Sequence, residues 1–198
     1  EAVGKNRVVR FLKSIGYKYI HLSDGTEITK DRGQADVVIS NRKYISLFSQ
    51  YLLNKTIFKN TKINSLDRVH IKRNDILNGF DKLEDIPKIN DPTFTFAHFI
   101  MPHEPQAFDE NGNTPDPATP ASEKYFDEIL YANKKLEHLV NSILAGSDTP
   151  PIILIQGDHG YLTTASTRPN AAQIKKGYSN LSAYYLPGIM KDKLYKTI

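Results

Sequence analysis

A chain of 198 residues with 26 Lys/Arg against 22 Asp/Glu carries a net charge of +4 and an isoelectric point near 9.1; it suits one α/β domain with a buried core and is a tight fit for two. The lysines are spread along the whole chain, so the positive balance reads as a solvated basic surface, and no nucleic-acid module is recognisable. There are no cysteines, which excludes disulfides, thiolate metal sites and a cysteine nucleophile within these residues, and no apolar run approaches the roughly 20 residues that span a bilayer.

In chain order, Val8, Val9, Phe11, Leu12 and Ile15 fall on one side of a short helix stopped at Gly16, and a strand follows from Tyr17 to Leu22. "ADVVIS" fits a short strand or a buried turn. "NRKYISLFSQYLLN" has helical spacing at Tyr44, Ile45, Leu47, Phe48, Tyr51 and Leu52, and a further helix is predicted around Ile71 to Leu83. Thr93 to Ile100, rich in phenylalanine and threonine and bounded by Pro92 and Pro102, predicts a strand. The proline-rich loop "DENGNTPDPATPAS" is long enough to act as a lid.

A long amphipathic helix from Ser122, its expected N-cap, to Leu144 places Phe126, Ile129, Leu130, Leu136, Val140, Ile143 and Leu144 on one face. The β-branched run Ile152 to Ile155 predicts a central strand buried on both sides, and "SAYYLPG" a last strand ending at Pro187. The long helix between the Thr93 and Ile152 strands is the crossover that a parallel pair requires. The order of elements argues for an α/β sandwich with a mainly parallel sheet.

Chemistry-bearing residues gather at two strand ends. In "MPHEP" the prolines rule out a helical ligand pair and hold His103 in a stiff loop, suited to contacting an anion or handling a proton. In "PPIILIQGDHGY", Asp158 and His159 leave a strand directly, with glycines on either side. Asp and neutral His are common ligands of zinc or manganese, so the pair fits a metal half-site; a structural turn with a capping Asp would look the same. If the two strands are neighbours, His98, His103, Glu104, Asp158 and His159 converge at one carboxyl edge, where parallel sheets bind ligands. His98 reads as a core histidine, and His21, His70 and His138 as structural or surface residues.

With these clusters in view, the chain resembles the alkaline phosphatase superfamily, within it the bacterial sulfatase-like hydrolases and transferases that include the lipoteichoic-acid synthases. The matching stretches are "FLKSIGYKYIHL", "FAHFIMPHEPQAFDENG", "ASEKYFDEILYANKKLEHLVNSIL", "PPIILIQGDHG" and "SAYYLPG", in an order and spacing that span nearly the whole chain. The resemblance implies a three-layer α/β sandwich and a metal-dependent attack by a threonine, serine or formylglycine nucleophile on a sulfate or phosphate ester. It assigns Asp158 and His159 to a divalent metal (zinc, manganese, calcium or magnesium) and His103 to the substrate's oxyanion. Gly157 stands where the family usually has serine, as the transferase branch also allows.

The family's nucleophile and earliest metal-binding carboxylate lie on segments upstream of the matching ones, and nothing near Glu1 resembles them. Residues 1–198 are therefore expected to be the C-terminal majority of one catalytic domain, inactive alone. The expected substrate is an anionic ester, such as a cell-envelope lipid or glycan, met at the extracytoplasmic face of a bacterial membrane, with membrane contact only through segments outside this chain. The competing expectation is a non-catalytic anion- or metal-binding module that keeps the fold.

Overall fold

The computed structural model describes residues 6–23, 33–40, 63–161 and 170–189. The helix expected from "NRKYISLFSQYLLN" lies outside them. The chain divides into two compact units, Glu1–Ile143 and Leu144–Ile198.

The first unit opens with helix α1, Arg7–Ser14, capped by Asn6, whose side chain accepts the Val9 N–H at 2.9 Å. Gly16 ends it at φ +95°, a conformation that favours glycine, and the chain turns directly into strand β1, Lys18–Leu22. β1 is the middle strand of a parallel three-stranded sheet, between β2, Val37–Ile39, and β3, Thr93–Ala97. The register sets His21 beside Val38 on one flank and Phe96 on the other. "ADVVIS" is thus a strand.

Helix α2 runs Ile63–Glu84, eight residues earlier than the sequence pattern showed, and helix α3 runs Ala121–Gly146. Ser122 lies inside α3 rather than capping it; the Pro120 carbonyl accepts the N–H groups of Glu123 and Lys124 at the start of the helix. The core of this unit is Leu22, Ile76, Phe80, Leu83, Ala107, Phe108 and Leu139, brought together from β1, α2, α3 and the loop after β3. The buried side of α3 is rotated from the expected one: Glu128 and Leu139 are buried, whereas Phe126 and Leu130 are exposed. No described helix is long and apolar enough to cross a membrane.

The second unit holds β4, Ile153–Gln156, helix α4, Ala171–Tyr178, and β5, Ser182–Tyr185. β4 pairs antiparallel with β5, with Ile153 opposite Tyr185 and Gln156 opposite Ser182. Two expectations are corrected here. β4 is not buried on both sides, since Leu154 is 63% exposed, and it is not in the sheet that contains β3. The physical reason is local: β4 and β5 are joined through α4 within one short unit, so the apolar run finds its backbone partner nearby rather than across the α3 crossover. The β3–β4 pairing on which a shared cleft rested is absent among the described residues, whose structure is α/β with a small parallel sheet and helices.

Candidate functional site

β3 delivers the chain into "HFIMPHEP", in which Pro102 and Pro105 both follow cis peptide bonds. His98 is half-buried just past the strand, and His103 is exposed on the loop. The His103 ring donates from Nδ1 to the carbonyl of Glu104 at 2.8 Å. A carbonyl only accepts, so in the neutral ring Nδ1 holds the proton and Nε2 is the atom left for a ligand.

Beneath this loop lies a buried ion pair. Lys72 of α2 and Glu128 of α3 are 8% and 0% exposed, with Nζ 3.5 Å from Oε1. Lys72 also donates to the carbonyls of His103 and Pro105, and Glu128 accepts the Ala107 N–H at 3.0 Å. Burial pushes the Lys72 ammonium down from its ordinary pKa and the Glu128 carboxyl up; each partner pulls the other back without cancelling the desolvation.

The neighbouring Arg73 donates to Ala107 O at 3.1 Å and to Gly112 O, with its guanidinium 4.5 Å from the Phe108 ring centroid. Asp109 accepts the N–H groups of Asn111 and Asn113, and Lys134 donates to Glu110 O. The part of the expected lid nearest His103 is therefore tied down to α2 and α3. Sequence reasoning missed Lys72 and Glu128. A signal existed: Lys72 precedes Ile76 and Phe80 by four and eight residues, and Glu128 precedes Leu139 by three turns, so each charge stands on a buried helical stripe.

In the second unit, β4 ends at Gln156 and the chain turns through Gly157, Asp158, His159 and Gly160. The Gly157 N–H donates to Leu181 O at 2.8 Å, Asn180 Nδ2 donates to Gly157 O, and the Gly160 N–H donates to Gly177 O at 2.7 Å. The turn is thereby anchored to β5's approach and to the C-terminal end of α4. Within it, Asp158 Oδ1 accepts the His159 N–H at 3.0 Å, and His159 Nδ1 donates to Gly160 O at 2.7 Å. As at His103, the free ring atom is Nε2.

Asp158 Oδ2 lies 3.8 Å from that Nε2, and both side chains are open to solvent. Two donors on one tetrahedral zinc stand roughly 3.4 Å apart for bonds of about 2.1 Å, so a few tenths of an ångström bring both onto one ion. A backbone carbonyl fixing the tautomer is the usual support for a ligating imidazole. Asp158 and His159 thus fit a metal as a two-donor half-site; no cluster of three or more such residues occurs among the described ones.

The remaining histidines are elsewhere. His21 is fully buried, its Nδ1 2.7 Å from the Tyr19 hydroxyl; His138 is exposed, 3.4 Å from Glu84; His70 is exposed on α2.

Comparison with protein-family models matches residues 3–196 to the family described as Sulfatase. The chain belongs to the sulfatase family. That membership places it in the alkaline phosphatase superfamily, whose sulfatase members are typically metal-dependent hydrolases. Comparison of this sulfatase-family chain with curated proteins and with solved structures gives no significant match.

Proposed function

We propose that this chain is part of a metal-dependent sulfatase-like hydrolase, or a phosphoglycerol- or phosphoethanolamine-type transferase, that acts on sulfate or phosphate esters on an alkaline-phosphatase-like three-layer scaffold. The carrying observation is the presentation of donors in the DHG turn: His159 is held by its Nδ1 with Nε2 free, and a carboxylate oxygen stands 3.8 Å away.

Asp158 and His159 would hold a divalent metal, among zinc, manganese, calcium and magnesium. Such an ion supplies Lewis-acid stabilisation of negative charge on the transferring group. His103 presents Nε2 from a loop with little freedom, and with the ring protonated that atom donates to an oxyanion oxygen. The nucleophile in this reading is a threonine, serine or formylglycine on an upstream segment. The substrate is an anionic ester of the cell envelope, a lipid or glycan, at the extracytoplasmic face.

Zinc and manganese titrations of the 198-residue chain test the metal role. Two protein ligands give weak binding, since stable sites generally use three or four. Asp158→Ala and His159→Ala are each expected to abolish that binding. In a chain extended upstream, they are expected to abolish cleavage of 4-nitrophenyl sulfate or phosphate as well. An extended chain that binds no metal would instead favour a non-catalytic module.

A further inference from the structure

The loop around His103 has a donor problem. Pro102 and Pro105 have no N–H, and no described strand pairs with the loop, so its carbonyls look to side chains or water for donors. They do so in sequence: Gln106 Nε2 donates to Pro102 O at 3.3 Å, Lys72 to His103 O, His103 Nδ1 to Glu104 O, and Lys72 again to Pro105 O at 3.0 Å. The carbonyl that orients the imidazole is therefore bracketed by two carbonyls held by one ammonium. Lys72 has three protons and three acceptors: the two carbonyls and Glu128 Oε1.

A buried Lys–Glu pair is a costly way to fill space, because well-packed apolar residues of the same volume are often as stable or more so. Glu128 Oε2 adds to the cost, being buried without a hydrogen-bond partner among the described residues. What apolar residues could not do is hold backbone carbonyls on both sides of Glu104. We propose that Lys72 is a positioning residue for His103, fixing the carbonyl that orients its ring, and that Glu128 is the counter-charge that keeps the ammonium in place. This inference rests on the reading of His103 as an oxyanion contact for its functional meaning, and on the loop geometry alone for its mechanism.

The experiment is nitrogen-15 NMR of the histidine side chains in the full 198-residue chain, in the wild type, Lys72→Met, Glu128→Gln and the double variant Lys72→Met/Glu128→Gln, with thermal melts to establish folding. The double variant leaves no buried charge unpaired, so it keeps the test open if Lys72→Met fails to fold. In the wild type the neutral His103 ring is expected to carry its proton on Nδ1. In the folded double variant the proton is expected to move to Nε2, the form a free imidazole prefers.

In parallel, a titration with inorganic sulfate in acid, where the ring is protonated and Nε2 donates in every variant, is expected to shift the His103 ring signals in the wild type. Loss of orientation is expected to weaken that response roughly tenfold in the double variant. A folded double variant with His103 still protonated on Nδ1 overturns the positioning role, as does a wild type without that tautomer. Absence of any sulfate response in the wild type overturns the oxyanion reading, while the tautomer comparison still decides the positioning role.

Discussion

Gly160 stands where a methyl group would collide with backbone: a Cβ there would lie 2.2 Å from both the Lys176 and the Ser179 carbonyl oxygens. Neither oxygen is on a flexible side chain that could move aside, so the DHG turn approaches α4 this closely only with glycine. Gly160→Ala is expected to destabilise the second unit by about 2 kcal/mol or more and to displace His159, whose ring donates to the Gly160 carbonyl; denaturant melts and the His159 tautomer by NMR are the measurements. Asp36 offers a pH test in the first unit. Its carboxyl is held below the ordinary value of 3.8, first by the hydrogen bond from Lys13 and then by the Tyr19 N–H. The folded state therefore binds that proton less readily than the unfolded chain. The resulting stabilisation is present above pH 3.8 and is lost as the pH falls through the lowered pKa. The pair is partly exposed, so its contribution is at most about 1 kcal/mol. Asp36→Asn should melt earlier than wild type at pH 7, with the gap closing in acid; a gap of constant size down to pH 2 would assign the effect to something other than ionisation.

At the scale of elements, α2 has two tasks in succession along one buried side. Ile76, Phe80 and Leu83 form core with Leu22, while Lys72 and Arg73 one turn earlier reach the loop after β3. Phe80 links the two: it stacks on Phe99 of that loop with ring centroids 4.4 Å apart, and Lys135 of α3 lies 5.3 Å from its centroid. Phe80→Ala is expected to cost about 3–5 kcal/mol, a large share of the roughly 5–15 kcal/mol by which domains are stable. Chemical denaturation checks this, and a loss below about 1 kcal/mol would mean that the site collapses around the gap. α3 illustrates why the face of a helix is hard to read. Its apolar residues cover more than one side, and the side that packs carries Leu139, Leu136 and Ile143 together with Glu128, the charged residue that meets both Lys72 and the Ala107 N–H.

For the whole molecule, the two histidines of interest belong to different compact units, and each ring is fixed by a carbonyl within its own unit. His103→Ala is therefore expected to leave zinc binding by Asp158 and His159 unchanged, and His159→Ala to leave the His103 tautomer unchanged. Calorimetric zinc titration and histidine NMR on the two variants check this. Loss of zinc binding on removing His103 would make it a metal ligand instead of an anion contact.

The sequence by itself determined what depends on neighbours in the chain. α1 with its glycine stop, β1, β3, the long helix α3, and β5 were all legible, because capping, β-branching and periodicity act over a few residues. The residues of the family resemblance were legible for the same reason: "PHEP" and "GDHG" are local turns whose geometry prolines and glycines impose. Only the tertiary structure decided that β4 pairs with β5 in an antiparallel ladder, since an apolar run does not encode whether its partner is the next strand or one across a long crossover. It alone decided that Lys72 and Glu128 meet under His103. A lysine and a glutamate 56 positions apart look like surface charges until packing removes the water, and burial then gives their charges and hydrogen bonds the weight they carry here.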